Sequence, residues 1–271
     1  MNTLLIVDPQ NDFCDIPGAA LPVPGADADL QRLADFMRAN RRRLGRVIVT
    51  LDSQSTVAIE RTTFWTTGEG EPVAPFTQIL AQEVRSGRFT PRDLTLITEV
   101  TAYLDALEAA GRYRLMVWPV HCVIGTWGHN IHAQLAAQIA AWEIWHQRGA
   151  LKVLKGQNPL TEQYSAVRAE VPRADDVSTQ ANRNLIAAAK PGDGILLVAG
   201  EASSHCVAAT IGDLLETMTM EERGRIVLLR DCMSAVTGFE TAADKFFAEA
   251  QALGVQIASS ASVADLLGDR A

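Results

Sequence analysis

The chain reads as an α/β protein, a three-layer doubly wound sheet of about six parallel strands with helices on both faces. Three features predict it. Short unbroken apolar runs, such as Leu4 to Val7 and Ile195 to Val198, have the composition of strands buried on both faces. These runs alternate with helical stretches of ten or more residues, the pattern of a parallel sheet joined by crossover helices. Several runs stop on a carboxylate or an ammonium rather than in a hairpin turn. At 271 residues with 48% apolar side chains, the chain can bury one large core, and a single domain over 1–271 is expected.

Residues 4–7 form the first strand, which ends on Asp8 and runs into Pro9-Gln10-Asn11-Asp12-Phe13. A helix over 26–42 carries Leu30, Leu33, Ala34 and Met37 on its inner stripe. The second strand, 46–51, ends on Asp52. Between 53 and 111 no strong strand is evident, but helices are predicted near 75–86 and 98–110. A connection of that length reads as an inserted, lid-like helical segment at about 68–112. A third strand over 114–118 runs into Pro119-Val120-His121-Cys122, and a helix over 130–147 follows. The fourth strand, 151–154, ends on Lys155-Gly156. After a helix near 178–190 come a fifth strand over 195–198 and a sixth over 225–229. A helix over 239–253 and a short last strand over 255–258 close the chain.

The fifth strand leads into Gly200-Glu201-Ala202-Ser203-Ser204-His205-Cys206. Ser203 or Ser204 is the expected N-cap of a helix whose Val207, Ile211, Leu214 and Leu215 recur at helical spacing. Cys206 therefore falls in a first turn, where free N–H groups and the helix dipole favour a thiolate. Asp8, Asp52, His121, Lys155 and Cys206 each lie within a few residues of the carboxyl end of a different predicted strand. In open parallel sheets that edge is where ligands bind. Singly, each would be a cap or a solvated charge; together they put an acid, an ammonium and a thiol in one crevice.

A net charge of -8 argues against a nucleic-acid or anionic-membrane partner, and Arg41-Arg42-Arg43 reads as the C-terminal cap of the first long helix. The four cysteines are too scattered for a disulfide framework or a metal finger, which fits a reducing cytoplasm. Met1-Asn2-Thr3 leads straight into a strand, so no signal peptide is expected, and no apolar stretch approaches the ~20 residues of a membrane span.

These segments resemble the isochorismatase-like cysteine hydrolases and, among them, the nicotinamidases. The resemblance rests on Leu5 to Phe13, on Trp118-Pro119-Val120-His121-Cys122 with Gly125, Thr126 and Gly128, on Lys155-Gly156 with Tyr164-Ser165-Ala166, and on Gly200 to Thr210. It implies an isochorismatase-like, Rossmann-like fold and a catalytic triad of Asp8, Lys155 and Cys206. It also implies a cis peptide between Glu201 and Ala202, an oxyanion hole from the N–H groups of Ala202 and Cys206, and a pocket lined by Phe13, Trp118 and Tyr164. The segment at 68–112 is outside it. The implied activity is cysteine-dependent hydrolysis of a small-molecule amide through a thioester. The alternatives are a metal-free hydrolase of another amide, a ureide or an isochorismate-like substrate, and a catalytically silent binding protein.

The resemblance also implies a divalent ion, held in nicotinamidases by an Asp-x-His pair, a second His and the His of the Trp-Pro-x-His-Cys segment. Here Asp52 and His121 match, but Gln54 stands at the first His position and Glu60 near the second. Asp52, Glu60 and His121 form the metal set to be tested, for a harder ion or none; the cysteine chemistry itself requires no cofactor. Glu201, where the family commonly has an apolar residue, is a candidate contact for a polar or cationic substrate group. Trp142 and Trp145, with Ile139 and Ile144, are expected to form an apolar patch between copies of a homo-oligomer.

Overall fold

The computed structural model describes residues 1–268. Strands β1 (Asn2–Val7) and β2 (Leu44–Asp52) are followed by four short ones: β3 (Trp65–Thr67), β4 (Thr77–Ile79), β5 (Phe89–Pro91) and β6 (Leu115–Val117). Then come β7 (Leu151–Lys155), β8 (Leu196–Gly200), β9 (Ile226–Leu229) and β10 (Gln256–Ala258). The central sheet has six strands in the order β10-β9-β8-β1-β2-β7, and every neighbouring pair is parallel. The chain leaves β1 in one direction through β2 to β7, then returns beside β1 to build β8, β9 and β10. The direction therefore reverses at β1, which ends on Asp8.

The helices are α1 (Ala26–Asn40), α2 (Ala81–Arg85), α3 (Ile97–Ala110), α4 (Ala133–His146), α5 (Arg183–Ala189), α6 (Cys206–Glu216), α7 (Met220–Arg223) and α8 (Glu240–Ala252). Alternation along each strand splits the core into two layers. Leu5, Val7, Leu196, Val198, Ile226 and Leu228 face the side covered by α5, α6 and α8. Leu4, Ile6, Leu197, Val227 and Leu229 face α1 and α4, meeting Leu30, Leu33, Met37, Leu135 and Trp142. Burial of each such aliphatic side chain contributes about 1.5–3 kcal/mol, which fixes the register that brings the strand ends level. Among the described residues, no helix is long and apolar enough to cross a membrane.

Several local expectations are corrected. The run expected as a third sheet strand is β6, and it pairs antiparallel with β4 instead of joining the central sheet. Its place beside β2 is taken by β7, and Leu115 and Val117 pack with Ile59, Trp65, Ile79, Leu104 and Leu107 in a separate apolar cluster. The inserted segment is thus a mixed unit of short antiparallel pairs with α2 and α3. The helix expected near 75–86 contracts to α2, because Thr77 to Ile79 are drawn into the pairing with β6. Trp142 and Ile139 belong to the core, the indole N–H donating to the Leu44 carbonyl at 2.8 Å, and only Ile144 and Trp145 are exposed. Arg41 is the C-cap of α1, as expected, and this stretch makes further contacts. Arg41 donates to Gln138 and Arg42 stacks on Trp145, 4.8 Å from its ring centre.

Candidate active site

Four adjacent strands of the sheet deliver the reactive groups: Cys206 follows β8, Asp8 follows β1, and Asp52 and Lys155 close β2 and β7. Asp8 has φ 42°, a left-handed conformation that aspartate tolerates better than most residues. Its backbone N–H donates to Thr50 O at 3.2 Å, and the Thr50 hydroxyl donates to Asp8 Oδ1 at 2.6 Å. Asp8 Oδ2 accepts no hydrogen bond and lies 3.0 Å from Lys155 Nζ. Lys155 Nζ also reaches Asp52 Oδ1 at 3.1 Å, Gln163 O at 3.0 Å and Cys206 Sγ at 3.6 Å. Gly200 makes this approach feasible: it has φ 114°, and a Cβ there would collide with the Val7 backbone.

Cys206 is the first residue of α6, as expected, but the cap is His205 and its side chain makes no capping bond. Ser204 Oγ instead contacts His205 Nδ1 at 2.9 Å and accepts from Val236 N at 3.1 Å. Burial drives the Cys206 thiol pKa well up, Asp8 and Asp52 add to the rise, and the lowering by Lys155 does not offset it. The resting residue is therefore a thiol, a correction to the thiolate expected from helix position alone. Burial also raises Asp8, against the pull of Lys155. Lys155 stays protonated because Asp52 and Asp8 overcome its desolvation. Thiol and acid are thus both pushed upward by burial. The Glu201–Ala202 peptide is cis.

A narrow cleft holding about 430 Å³ of empty space opens over Cys206. Phe13, Leu21, Trp118, Tyr164 and Val236 form its apolar walls; Trp118 Nε1 donates to Tyr164 Oη at 3.0 Å. Ala202 also lines it, and His205, Lys155, Asp52, Glu60, Arg61, His121, Glu162 and Gln163 supply its polar lining. Phe13, Trp118 and Tyr164 thus stand around Cys206. Glu201 does not. Fully buried on the far side of β8, its Oε2 accepts from Ser234 N at 3.1 Å, and its carboxyl faces Asp29, so the expected substrate contact is corrected.

Arg61, Glu162, Gln163 and His205 were not singled out from sequence. The signals were thin: Arg61 adjoins Glu60, Glu162-Gln163 precedes Tyr164, and His205 precedes Cys206. Burial lowers the His205 pKa to about 4, so its imidazole is neutral, boxed by Trp118, Tyr164 and Phe239 with ring centres 4.7–5.3 Å away.

The residues expected to hold a divalent ion enclose a guanidinium. Glu60 and Arg61 are pinned to the cleft wall by backbone pairing with Trp118, whose N–H donates to Glu60 O at 2.7 Å. Arg61 is 1% exposed. Its Nη2 lies 3.7 Å from Asp52 Oδ2 and its Nε 3.5 Å from Glu60 Oε1. Arg61 Nη1 lies 2.5 Å from His121 Nδ1 and 3.0 Å from Nε2; Nδ1 is also 2.8 Å from Pro119 O, and Nε2 3.4 Å from Asp52 Oδ2. The guanidinium thus lies against both nitrogens of the ring that a metal would need as a ligand. Gln54 donates to Asp52 Oδ1 at 3.0 Å, and burial, reinforced by Glu162, raises Glu60 to about 8. A divalent ion placed among these residues would meet the positive charge of this guanidinium at close range. Among the described residues, no three His, Cys, Asp or Glu side chains converge as a metal-binding group. These residues do not fit a divalent ion.

No family model matches the chain. It is 28% identical over 144 residues to the nicotinamidase of Saccharomyces cerevisiae, covering 53% of this chain and 54% of that one, so it aligns with about half the yeast protein's length. It is 27% identical over 221 residues to the nicotinamidase of Escherichia coli, covering 79% and 76%. The crystal structure of the yeast nicotinamidase superposes with a TM-score of 0.65 at 22% identity, covering 95% of this chain and 99% of that one. An isochorismatase family protein from Desulfovibrio vulgaris gives 0.54 at 19% identity, covering 98% and 97%. The structural likenesses establish an isochorismatase-like α/β fold, and in sequence the chain is similar to the two nicotinamidases.

Proposed function

We propose that this protein is a cysteine hydrolase that cleaves the C–N amide bond of a small molecule, the activity for which its nicotinamidase relatives are named. The observation that carries the reading is the buried line Cys206 Sγ, Lys155 Nζ and Asp8 Oδ2, with steps of 3.6 and 3.0 Å, at the floor of a cleft walled by aromatic rings.

Asp8 Oδ2 takes the thiol proton, and the Cys206 sulfur attacks the amide carbonyl carbon, moving the π electrons onto oxygen. The N–H groups of Ala202 and Cys206 hold that oxyanion; the latter, opening α6, belongs to the first-turn donors that have no intrahelical acceptor. As the carbonyl re-forms, the C–N bond breaks and Asp8 returns its proton to the departing nitrogen, leaving a thioester. Asp8 next deprotonates a water that attacks the thioester; the acid departs and the sulfur regains its proton. Lys155 keeps Asp8 oriented throughout and offsets the negative charge shared by acid and sulfur. Phe13, Trp118 and Tyr164 sandwich the flat part of the substrate. The inserted segment covers the outer wall through Phe76, whose ring meets Trp118 edge-on at 5.7 Å.

The test is ammonia release from a panel of nicotinamide, pyrazinamide and aliphatic amides by wild type and by Cys206→Ala, with mass spectrometry of the quenched wild-type enzyme. Release that depends on the sulfur and an acyl adduct on Cys206 are expected. Release that persists in Cys206→Ala would overturn the mechanism.

A further inference from the structure

We infer that the Arg61 guanidinium stands where a divalent ion would be expected, making this chain metal-independent, and that it grips a neutral hydrogen-bond acceptor, such as a ring nitrogen or carbonyl, on the substrate. The substrate half of this inference rests on the amidohydrolase reading; the metal half does not.

The unused donors of Arg61 carry the argument. A guanidinium has five N–H groups and no acceptor. In Arg61, Nη1 is spent on His121 and on Pro119 O at 3.3 Å. Its buried Nε faces Glu60 Oε1 at 3.5 Å without a hydrogen bond, and its Nη2 has the 3.7 Å ion pair with Asp52, leaving Nη2 as the donor free for a ligand. Buried donors are normally satisfied, and this side chain is 1% exposed yet lines the same cleft as Cys206. A ligand atom with a lone pair completes the set. The charges around it select which kind. Asp52, Glu60 and Glu162 line this end of the cleft with Arg61, and Lys155 is already shared between Asp8 and Asp52. A carboxylate ligand would face the Asp52 carboxylate, whereas a neutral acceptor takes the hydrogen bond without that repulsion. Asp52 holds the device together, its Oδ1 on Lys155 and its Oδ2 toward both Arg61 and His121.

Two measurements test this without relying on turnover. The first is zinc: the purified wild-type chain is incubated with equimolar Zn²⁺, desalted and analysed by plasma mass spectrometry. Less than about a tenth of an equivalent is expected; a retained equivalent that is lost in Asp52→Asn would overturn metal independence. The second is calorimetric binding to Cys206→Ala protein of nicotinamide, benzamide, which lacks the ring acceptor, and succinamate, which carries a carboxylate. Nicotinamide should bind at least about 10-fold more tightly than either, the usual scale for a hydrogen bond to a charged group. In the Cys206→Ala background, Arg61→Lys, which keeps the charge but loses the fork, should shrink the gap between nicotinamide and benzamide several-fold. Equal binding of nicotinamide and benzamide, or tightest binding of succinamate, would overturn the acceptor role with no variant of Arg61 needed. Absence of hydrolysis of any amide by wild type would count against the amidohydrolase reading and leave both measurements valid.

Discussion

The Thr50 hydroxyl donates to Asp8 Oδ1 at 2.6 Å, so one oxygen of the carboxylate is held while Oδ2 faces Lys155 Nζ at 3.0 Å, the oxygen to which the proposed mechanism gives the Cys206 proton. Thr50→Val keeps the shape and removes the donor. Steady-state kinetics should show kcat reduced about 10-fold with KM within about 2-fold, and unfolding should show a loss of about 1–2 kcal/mol. A change confined to KM would contradict the assignment of Asp8 as the proton acceptor.

Lys155 is the ammonium between two buried carboxylates, 3.0 Å from Asp8 and 3.1 Å from Asp52. Lys155→Met would leave both acids buried without it, and breaking such a pair typically costs about 3–5 kcal/mol. Denaturant titration should register a loss of that order, together with loss of amide hydrolysis. Unchanged stability would mean that the ammonium does not organise the site.

Glu201 supplies a prediction in pH. Burial, reinforced by Asp29, raises its pKa well above the usual carboxylate value of 4.5. The folded state therefore holds a proton that the unfolded chain has released, and stability declines as pH rises above 4.5. Glu201→Gln removes that loss. Its melting temperature should exceed that of wild type by more at pH 8 than at pH 5, while the ranking of amide substrates stays the same. A changed ranking would return Glu201 to the substrate contacts.

His205 titrates in the opposite sense. Its folded pKa is about 4 against an ordinary 6.5, because burial disfavours the imidazolium. Between these values the unfolded chain binds more protons, so stability falls as pH drops through 6.5 toward 4. From pH 7.5 to 5 this residue should account for about 2 kcal/mol of the loss. In His205→Phe that share of the pH dependence should vanish from urea unfolding curves; its persistence would assign it to other groups.

What could be read from the chain alone was local in origin. Apolar runs such as Leu196 to Ala199, with the helix starting at Cys206, encode their structure within a few residues. Parallel strands then level their carboxyl ends by register. That is why Asp8, Lys155 and Cys206 could be placed on one edge before their distances were known. The run Leu115 to Val117 has the same composition as a sheet strand, yet it pairs with β4 while β7 takes the place beside β2.

The direction of a side chain was beyond the sequence wherever it depended on a distant partner. Glu201 adjoins Ala202 in the cleft, yet it points through the sheet to Asp29 and Ser234. Arg61 enters the cleft because its backbone pairs with Trp118 across the inserted segment, which no nearby periodicity records. Burial was equally nonlocal: it turned the helix-start thiolate of Cys206 into a thiol, since desolvation depends on everything packed around the sulfur. Sequence thus determined the fold, the cleft edge and the three groups gathered there. Tertiary packing decided their protonation and which cation stands opposite them, because both depend on long-range contacts that no local pattern encodes.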